Sequence, residues 1–165
     1  EKNIEYIVDW ERSKLSYILL TGNPVYLERL LNAISDNAVK FTEPGGRIHV
    51  WCKEKFADEK RVVYEFGCAD NGPGMSQEFV AHAFDLFAQE KETSRSKYEG
   101  TGLGLSIAKK LTDRMGGTIR IESKEGTGTT VIMTIPFKIG EAEKARNEAA
   151  KMRRDMRKKR RENGF

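Results

Sequence analysis

The sequence has 165 residues, of which 38% are hydrophobic and 33% charged, and its formal net charge is +4. This length and apolar content suffice for one domain with a single core and leave little for a second. No run reaches the roughly eighteen apolar residues of a membrane span, and the first residues do not resemble a signal peptide. Because the chain lacks an initiator methionine, we interpret it as part of a longer parent protein. That parent protein could be anchored in a membrane.

The charge is unevenly distributed. Residues 138–165 contain 11 Lys and Arg and 5 Asp and Glu, which leaves 18 of the 29 basic and 20 of the 25 acidic residues for the rest. The basic segment is helix-prone and almost free of large aliphatic residues, so it has no core of its own. We therefore predict a folded domain over residues 1–139 and a basic helical tail or linker over residues 140–165. A basic tail could bind nucleic acid, but a solvated helix leading to a following domain is the preferred interpretation, and no nucleic acid is expected.

The two cysteines favour a reducing compartment. Cys52 and Cys68 both lie inside apolar, strand-like runs and lack the spacing of metal ligands. We expect both to be reduced core residues, which is typical of a cytoplasmic protein.

The first third of the chain predicts strands and then a long helix. Residues 4–10 and 15–20 are β-rich runs around a polar segment, and we predict that they form a hairpin. Asn23 and Pro24 are a suitable N-cap and first helical residue. The apolar residues that follow recur at helical spacing and predict one buried stripe, made of Leu27, Leu30, Leu31, Ile34, Ala38 and Phe41.

The middle of the chain predicts two strands, a short helix and a polar segment. The second strand, over residues 61–69, ends on Asp-Asn-Gly-Pro-Gly at 70–74. An acid at the end of a strand before a glycine turn can present polar groups to a ligand, although such a turn often binds nothing. A short helix is predicted over residues 75–83, followed by one helical turn that packs Phe84 and Phe87 on the core. Residues 88–99 are polar and unpatterned, which predicts a mobile lid.

Three glycines at alternate positions stand before a helical pattern at residues 107–115, within the sequence Gly-Thr-Gly-Leu-Gly-Leu-Ser at 100–106. Glycines leading into a helix N-terminus can cradle phosphate, although they can also form a simple turn. A dinucleotide fingerprint is disfavoured because no strand precedes the glycines. Its third glycine would also fall on Leu105 or Ile107.

The last core elements are two alternating runs at residues 118–123 and 129–137, which predict a hairpin around the glycines at 126–128. In sum, the chain predicts an α+β fold of two layers, with a mixed sheet and helices on one face.

Five segments, taken together and in order, resemble the ATP-binding catalytic domain of sensor histidine kinases, in the superfamily that includes gyrase B and MutL. Their places in this chain are residues 36–42 (N box), 70–74 (G1 box), 84–89 (F box), 100–105 (G2 box) and 126–130 (last glycine element). The resemblance covers roughly residues 20–137 and implies a two-layer α/β sandwich of the Bergerat type under a flexible lid.

The resemblance assigns one set of residues to the adenine. Phe41 would face the base, and Asp70 would accept a hydrogen bond from its amino group. Gly72 and Gly74 would let the chain pass beside the base, and Thr130 would lie in the same pocket.

The resemblance assigns a second set to Mg²⁺ and the phosphates. Asn37 would bind Mg²⁺ through its carbonyl oxygen, a donor suited to a hard cation, and Lys40 would meet phosphate. Arg95 and Lys97 are the candidate cations of the lid. The phosphates would meet the residues of the G2 box, which are Gly100, Thr101, Gly102, Leu103, Gly104 and Leu105.

The implied function is to bind Mg-ATP and donate its γ-phosphoryl group to a histidine on a separate dimerisation domain of the same parent. A receiver domain of a response regulator would be the further partner. The chain has only His49 and His82, neither in the helical setting of a phosphoacceptor, so no catalytic residue is expected within it. Ala33 stands where these kinases usually carry Asn and the gyrase and MutL branch a catalytic Glu. This disfavours a hydrolase and leaves a nucleotide-binding regulatory module as the alternative.

Overall fold

A computed structural model of the chain describes residues 2–9, 15–17, 19–89 and 101–162. Over these residues, one mixed sheet is covered by helices on one face, as the sequence predicts. The elements are β1 (Glu5–Asp9), β2 (Leu20–Thr21), α1 (Pro24–Phe41), β3 (Arg47–Ala57), β4 (Arg61–Asp70), α2 (Gln77–His82), α3 (Gly104–Arg114), β5 (Thr118–Lys124), β6 (Gly128–Ile139) and α4 (Glu141–Glu162).

The strands lie in the order β1-β3-β4-β6-β2, and β5 also pairs with β6. The predicted hairpin at residues 118–137 is confirmed by the antiparallel pairing of β5 and β6. The hairpin predicted for residues 4–20 is wrong, because β1 pairs with β3 in parallel and β2 pairs with β6. Local β-propensity predicted that these runs would be extended, but it carries no information about their distant partners.

The side chains of the central strand β4 point alternately to the two faces of the sheet. Side chains alternate along a strand, and Val62, Tyr64 and Cys68 are buried towards the helices. The same core contains Leu30, Ile34 and Ala38 of α1 and Ala108 of α3. The apolar stripe predicted from the sequence therefore places α1 against the sheet, with α3 packed beside it.

Both ends of α1 are fixed by side chains. Asn23 caps its start, since the Oδ1 atom accepts a hydrogen bond from the Tyr26 N–H at 3.1 Å. At its end, the Lys2 ammonium donates to the carbonyls of Val39 and Thr42, both at 3.1 Å. A cation at a helix C-terminus contributes about 0.3–1 kcal/mol. Lys2 thus links the residues before β1 to the end of α1.

The first turn of α4 contacts the body of the domain. Glu143 is fully buried; its carboxylate accepts a hydrogen bond from the Leu19 N–H at 3.2 Å and pairs with Arg146 at 2.8 Å. Residues 148–156 of the helix are exposed. The boundary at residues 139 and 140 stays a prediction. None of the helices in the described ranges combines the length and apolarity that a membrane span requires.

A buried carboxylate lies on the sheet face opposite the helices. Glu65 is 7% exposed and pairs with Lys53 at 2.7 Å and Lys55 at 3.6 Å. Burial acts to raise the pKa of this carboxyl, but the hydrogen bond and charge of Lys53, together with the charge of Lys55, outweigh burial and leave the pKa lowered. Ionised Glu65 is therefore favoured in the folded state.

We expect Glu65→Gln to lower the free energy of unfolding at pH 7 by about 1–2 kcal/mol, because the charged hydrogen bond is lost. A lowered folded-state pKa stabilises the protein above the unfolded-state value, about 4.3, and this contribution disappears as pH falls through the folded-state value. Denaturant titrations should show a smaller difference from the unmodified chain at pH 3 than at pH 7. Glu122→Gln, in an exposed pair with Arg120, is the control. An equal loss at both pH values would contradict the ionic role.

Candidate functional site

A cleft of about 110 Å³ opens between α1 and the carboxyl end of β4. Five parts of the chain form its wall: α1, β4 with the turn after it, the α2 region, the start of α3, and β6. The lining residues are Ile34, Asn37, Ala38, Lys40, Phe41, Cys68, Asp70, Met75, Phe79, Ala83, Ala88, Gln89, Gly102, Leu105, Thr129 and Val131.

The last turns of α1 supply the polar side of this cleft. Asn37, Lys40 and Phe41 follow one another at steps of three and one, so they share the face of the helix that ends beside the cleft. All three contribute to the lining, as the sequence predicts for a common site. The Lys40 ammonium lies 4.9 Å from the centroid of the Phe41 ring.

The start of α3 lies directly against Asn37. A methyl group on Gly104 would come within 3.1 Å of Asn37 Nδ2 and 3.2 Å of Oδ1. Any larger residue would therefore press on the Asn37 amide. The close approach brings the glycine-led helix and the N-box asparagine to one end of the cleft, although Gly104 and Asn37 are 67 positions apart in the sequence.

Asp70 stands at the end of β4, two residues after Cys68, so both side chains point into the cleft. The Gly72 N–H donates a hydrogen bond to Asp70 Oδ1 at 2.9 Å. A Cβ on Gly72 would lie 2.7 Å from the Phe41 carbonyl oxygen, so only glycine lets the turn pass so close to the end of α1. The carboxylate is thus held beside Phe41.

The wall beside Asp70 is neutral. Burial, and then the charge of Asp70, raise the pKa of Cys68 to about 12, so the thiol stays protonated at neutral pH. Cys52 and Cys68 are both free thiols, as predicted.

A hydrogen-bonded serine ties the turn after β4 to the terminal hairpin. Ser123 Oγ accepts a hydrogen bond from the Met75 N–H at 2.9 Å and donates to the Gly128 carbonyl at 3.0 Å. The single hydroxyl proton of Ser123 is used in the bond to the Gly128 carbonyl. The Thr129 hydroxyl is therefore the donor in its 2.8 Å contact with Ser123 Oγ. Met75 and Thr129 are thereby fixed where they line the cleft.

The sequence analysis expected Thr130 in the pocket, but the neighbouring residue Thr129 lines the cleft instead. In the β4–β6 register Thr129 is opposite Asp70, whereas Thr130 is opposite Ala69. Neighbouring residues of a strand point to opposite faces, and an offset of one position therefore puts Thr130 on the other side of the sheet.

The other predicted site residues have different positions. Gly102 and Leu105 line the cleft, whereas Thr101, Leu103 and Gly104 lie beside it at the start of α3 without forming its wall. Gly74 is buried against the backbone of Lys124. Arg95, Lys97 and Gly100, and most of the predicted lid, lie outside the described residues.

The segment after α2 corrects one packing prediction. Phe84 is half-buried, but Phe87 is 69% exposed and has a positive φ of 62°. The two aromatics therefore do not pack together on the core as one helical turn. Ala88 and Gln89, at the end of this segment, do line the cleft.

The donor set fits an aromatic ligand and a weakly held hard cation. The apolar residues Ile34, Met75 and Val131 can enclose a flat ring, and Asp70 is the acid that faces it. Among the residues with a described structure, no group of three or more His, Cys, Asp or Glu could hold a metal. A bound phosphate and water could supply further oxygen ligands to a cation at Asn37, which suits Mg²⁺.

Sequence reasoning missed most of the apolar wall, which comprises Ile34, Ala38, Cys68, Met75, Phe79, Ala83 and Val131. Strand alternation would have placed Cys68 with Asp70, and helical spacing would have placed Ile34 with Asn37. No sequence signal indicated Met75 or Phe79, because their positions depend on the Ser123 contact and on the packing of α2.

These features define a two-layer α/β domain with an apolar, glycine-flanked ligand cleft. Residues 22–139 match the family described as histidine kinase-, DNA gyrase B- and HSP90-like ATPases. The chain belongs to this family, and its relatives group it with the ATP-binding catalytic domains of sensor histidine kinases.

Two relatives illustrate the match in sequence. The autoinducer 2 sensor kinase/phosphatase LuxQ of Vibrio parahaemolyticus is 37% identical over 83% of this chain and 16% of its own length. Histidine protein kinase 1 of Candida albicans is 35% identical over 70% of this chain and 5% of its own length. The chain thus spans less than a fifth of these relatives.

The fold also matches solved structures. The mycobacterial sensor histidine kinase MprB superposes with a TM-score of 0.62 at 25% identity, over 84% of this chain and 85% of that one. Full-length ShkA in complex with AMPPNP gives a TM-score of 0.62 at 30% identity, over 84% of this chain and 27% of that one.

We expect Gly104→Ala to weaken Mg-ATP binding roughly tenfold, because the new methyl group displaces the Asn37 amide. The fold should be unharmed or slightly more stable, since alanine favours a helix by about 1 kcal/mol over glycine. Calorimetric titration with Mg-ATP and a melting curve measure the two effects separately. Lys110→Ala, on the exposed face of α3, is the control. Unchanged affinity in Gly104→Ala would show that the contact does not position Asn37.

Proposed function

We propose that this chain binds Mg-ATP in the cleft and presents the γ-phosphoryl group to a histidine of a separate phosphoacceptor domain. The observation that carries the proposal is the meeting of Asn37, Asp70 and the start of α3 at one cleft, although they are far apart in sequence. The AMPPNP complex of ShkA supports a nucleotide as the ligand. Because the chain is a small part of its relatives, the activity of the whole protein also belongs to this proposal.

At the adenine end, Asp70 accepts a hydrogen bond from the amino group of the base. The Gly72 N–H donates to its Oδ1 atom at 2.9 Å and so orients the carboxylate in the cleft wall. Phe41 and Val131 contact the ring faces, and Thr129 closes the site from β6. A hydrogen bond to a charged acceptor in an apolar surrounding distinguishes an amino-bearing base from one that lacks the donor.

At the phosphate end, Asn37 supplies an oxygen ligand to Mg²⁺ and Lys40 supplies a positive charge. The N-terminus of α3 adds the backbone N–H groups of Gly104 and Leu105, which have no partner within the helix and favour anions. Bound Mg²⁺ neutralises charge on the phosphates. Position and charge neutralisation, rather than a protein nucleophile, are what these residues contribute.

The attacking nitrogen comes from outside the cleft. His49 lies on the open sheet face, 3.7 Å from Asp9, and His82 is exposed beside Asp85 at 3.1 Å. Neither lines the cleft. In the proposed step, the imidazole lone pair of the partner histidine forms the N–P bond, the bond from the γ-phosphorus to the bridging oxygen breaks, and ADP leaves with the electron pair.

Ala33 favours a second candidate, a nucleotide-binding regulatory module. It is half-buried against the core on α1 and does not contribute to the cleft wall, so it offers no second oxygen ligand beside Asn37. Binding without phosphotransfer in the parent protein would identify this function.

Asp70→Ala should weaken ATP binding by about 1–3 kcal/mol, roughly 10- to 100-fold, through loss of the adenine hydrogen bond. Calorimetry on the folded variant gives the dissociation constant. Asp113→Ala, which removes an exposed carboxylate paired with Lys109, should leave it unchanged. The adenine assignment fails if Asp70→Ala binds ATP as tightly as the unmodified chain.

Asn37→Ala should weaken nucleotide binding only when Mg²⁺ is present, because adenine and phosphate are recognised by different groups. We expect an affinity loss of about tenfold in Mg²⁺ and little change in EDTA, as removal of one oxygen ligand predicts. Asn32→Ala, at an exposed position earlier on α1, is the matched control. Equal losses with and without Mg²⁺ would make Asn37 a structural residue.

Phosphotransfer tests the proposal as a whole. Incubation of the chain alone with γ-labelled ATP should leave it unlabelled, since no histidine is aligned with the γ-phosphorus. Addition of the dimerisation domain of the same parent should produce acid-labile label on that domain. Label on His49 or His82 of the chain alone would contradict the assignment of the phosphoacceptor histidine to a separate domain. ATP binding without transfer to any partner would favour the regulatory module.

A further inference from the structure

Five of the six apolar residues of α4 form a single stripe. Ala142, Ala145, Ala149, Met152 and Met156 follow one another at steps of three, four, three and four residues. This is the spacing of the a and d positions of a heptad repeat, which places all five on one side of a helix. We call these five residues the seam.

The seam faces solvent. All its members are exposed, including Met152 at 64% and Met156 at 59%. Glu143, Lys144 and Asn147, which are buried or half-buried, lie on the opposite side of the helix. The helix is thus held to the domain by one side, through the contact of Glu143 with Leu19, and its seam is accessible to another molecule.

The charges beside the seam are segregated by sign. With Ala142 at an a position, the g positions carry Glu141, Glu148 and Asp155, and the e positions carry Arg146 and Arg153. In a parallel pair of identical helices, each g residue faces the e residue five positions later on the partner helix, so Glu148 would meet Arg153. In an antiparallel pair, g faces g and e faces e, which would bring acid against acid and arginine against arginine.

We propose that α4 forms a parallel, in-register two-stranded coiled coil with α4 of a second copy of this chain. The occupant is a second copy because the charge pattern is complementary to itself in that one orientation. The inference does not rest on the proposed function, since no residue of the nucleotide cleft takes part. The seam spans residues 142–156, about two heptads, and contains three alanines, so association should depend on protein concentration.

Two neighbouring alanines provide a matched test. Ala149 is an a position in the seam, and Ala150 is the adjacent b position outside it. In the full chain, Ala149→Cys should form an intermolecular disulfide under mild oxidation at least about tenfold faster than Ala150→Cys, because only the former faces its own copy. The native thiols give little background, since burial raises the pKa of Cys52 to about 11 and that of Cys68 to about 12.

Sedimentation equilibrium of the full chain tests the interface without cysteines. The unmodified chain should dimerise as its concentration rises, and Met152→Lys should weaken dimerisation by at least about tenfold, because it places like charges at the seam. Glu148→Arg or Arg153→Glu alone should weaken the dimer, and the double variant should recover it. Nucleotide should have no effect on these results.

Equal disulfide rates for Ala149→Cys and Ala150→Cys would overturn the proposal. A dimer that survives Met152→Lys would also overturn it, because the contact would then lie elsewhere. If dimerisation follows these expectations while ATP fails to bind, the proposed function alone is refuted.

Discussion

The candidate site depends on one backbone contact, where the turn after β4 crosses the end of α1. Gly72 approaches the Phe41 carbonyl so closely that no side chain fits between them. This contact fixes the strand that carries Asp70 relative to the helix that carries Asn37, Lys40 and Phe41. Lys2 binds the carbonyls at the same helix end, and Asn71 accepts a hydrogen bond from the Arg47 N–H at 2.7 Å. Strand, helix and turn are thereby held in one arrangement around the cleft.

The cleft separates two kinds of chemistry by position. Its inner wall is mostly apolar, with a protonated Cys68 beside the carboxylate of Asp70. Its outer end has Asn37, Lys40 and the beginning of α3, which suit oxygen anions and a hard cation. Under the proposed function, the base and the phosphates are recognised by different groups, and a separate domain approaches only the phosphate end.

Sequence reasoning was most accurate where the signal was local. The N-cap at Asn23, the apolar stripe of α1 and the alternation of β5 and β6 each depend on neighbouring residues, and all three are present. It was wrong about the pairing of residues 4–20, because a strand's partner is set by the whole sheet. It also assigned the cleft position to Thr130 instead of Thr129. It predicted that Phe87 packs on the core, whereas Phe87 is exposed. Both errors concern the direction of a side chain, which a motif alone does not specify.

The sequence by itself determined the order of elements, the positions of the glycine turns and the identity of the polar residues, because periodicity and backbone preference are encoded locally. The heptad pattern of α4 is likewise written in the sequence. Only the tertiary structure decided that β1 joins β3, that Gly104 touches Asn37, and that Met75, Phe79 and Thr129 complete the cleft. These contacts join residues far apart in the chain. Their energy comes from packing that forms only when the sheet and both long helices of the core are assembled.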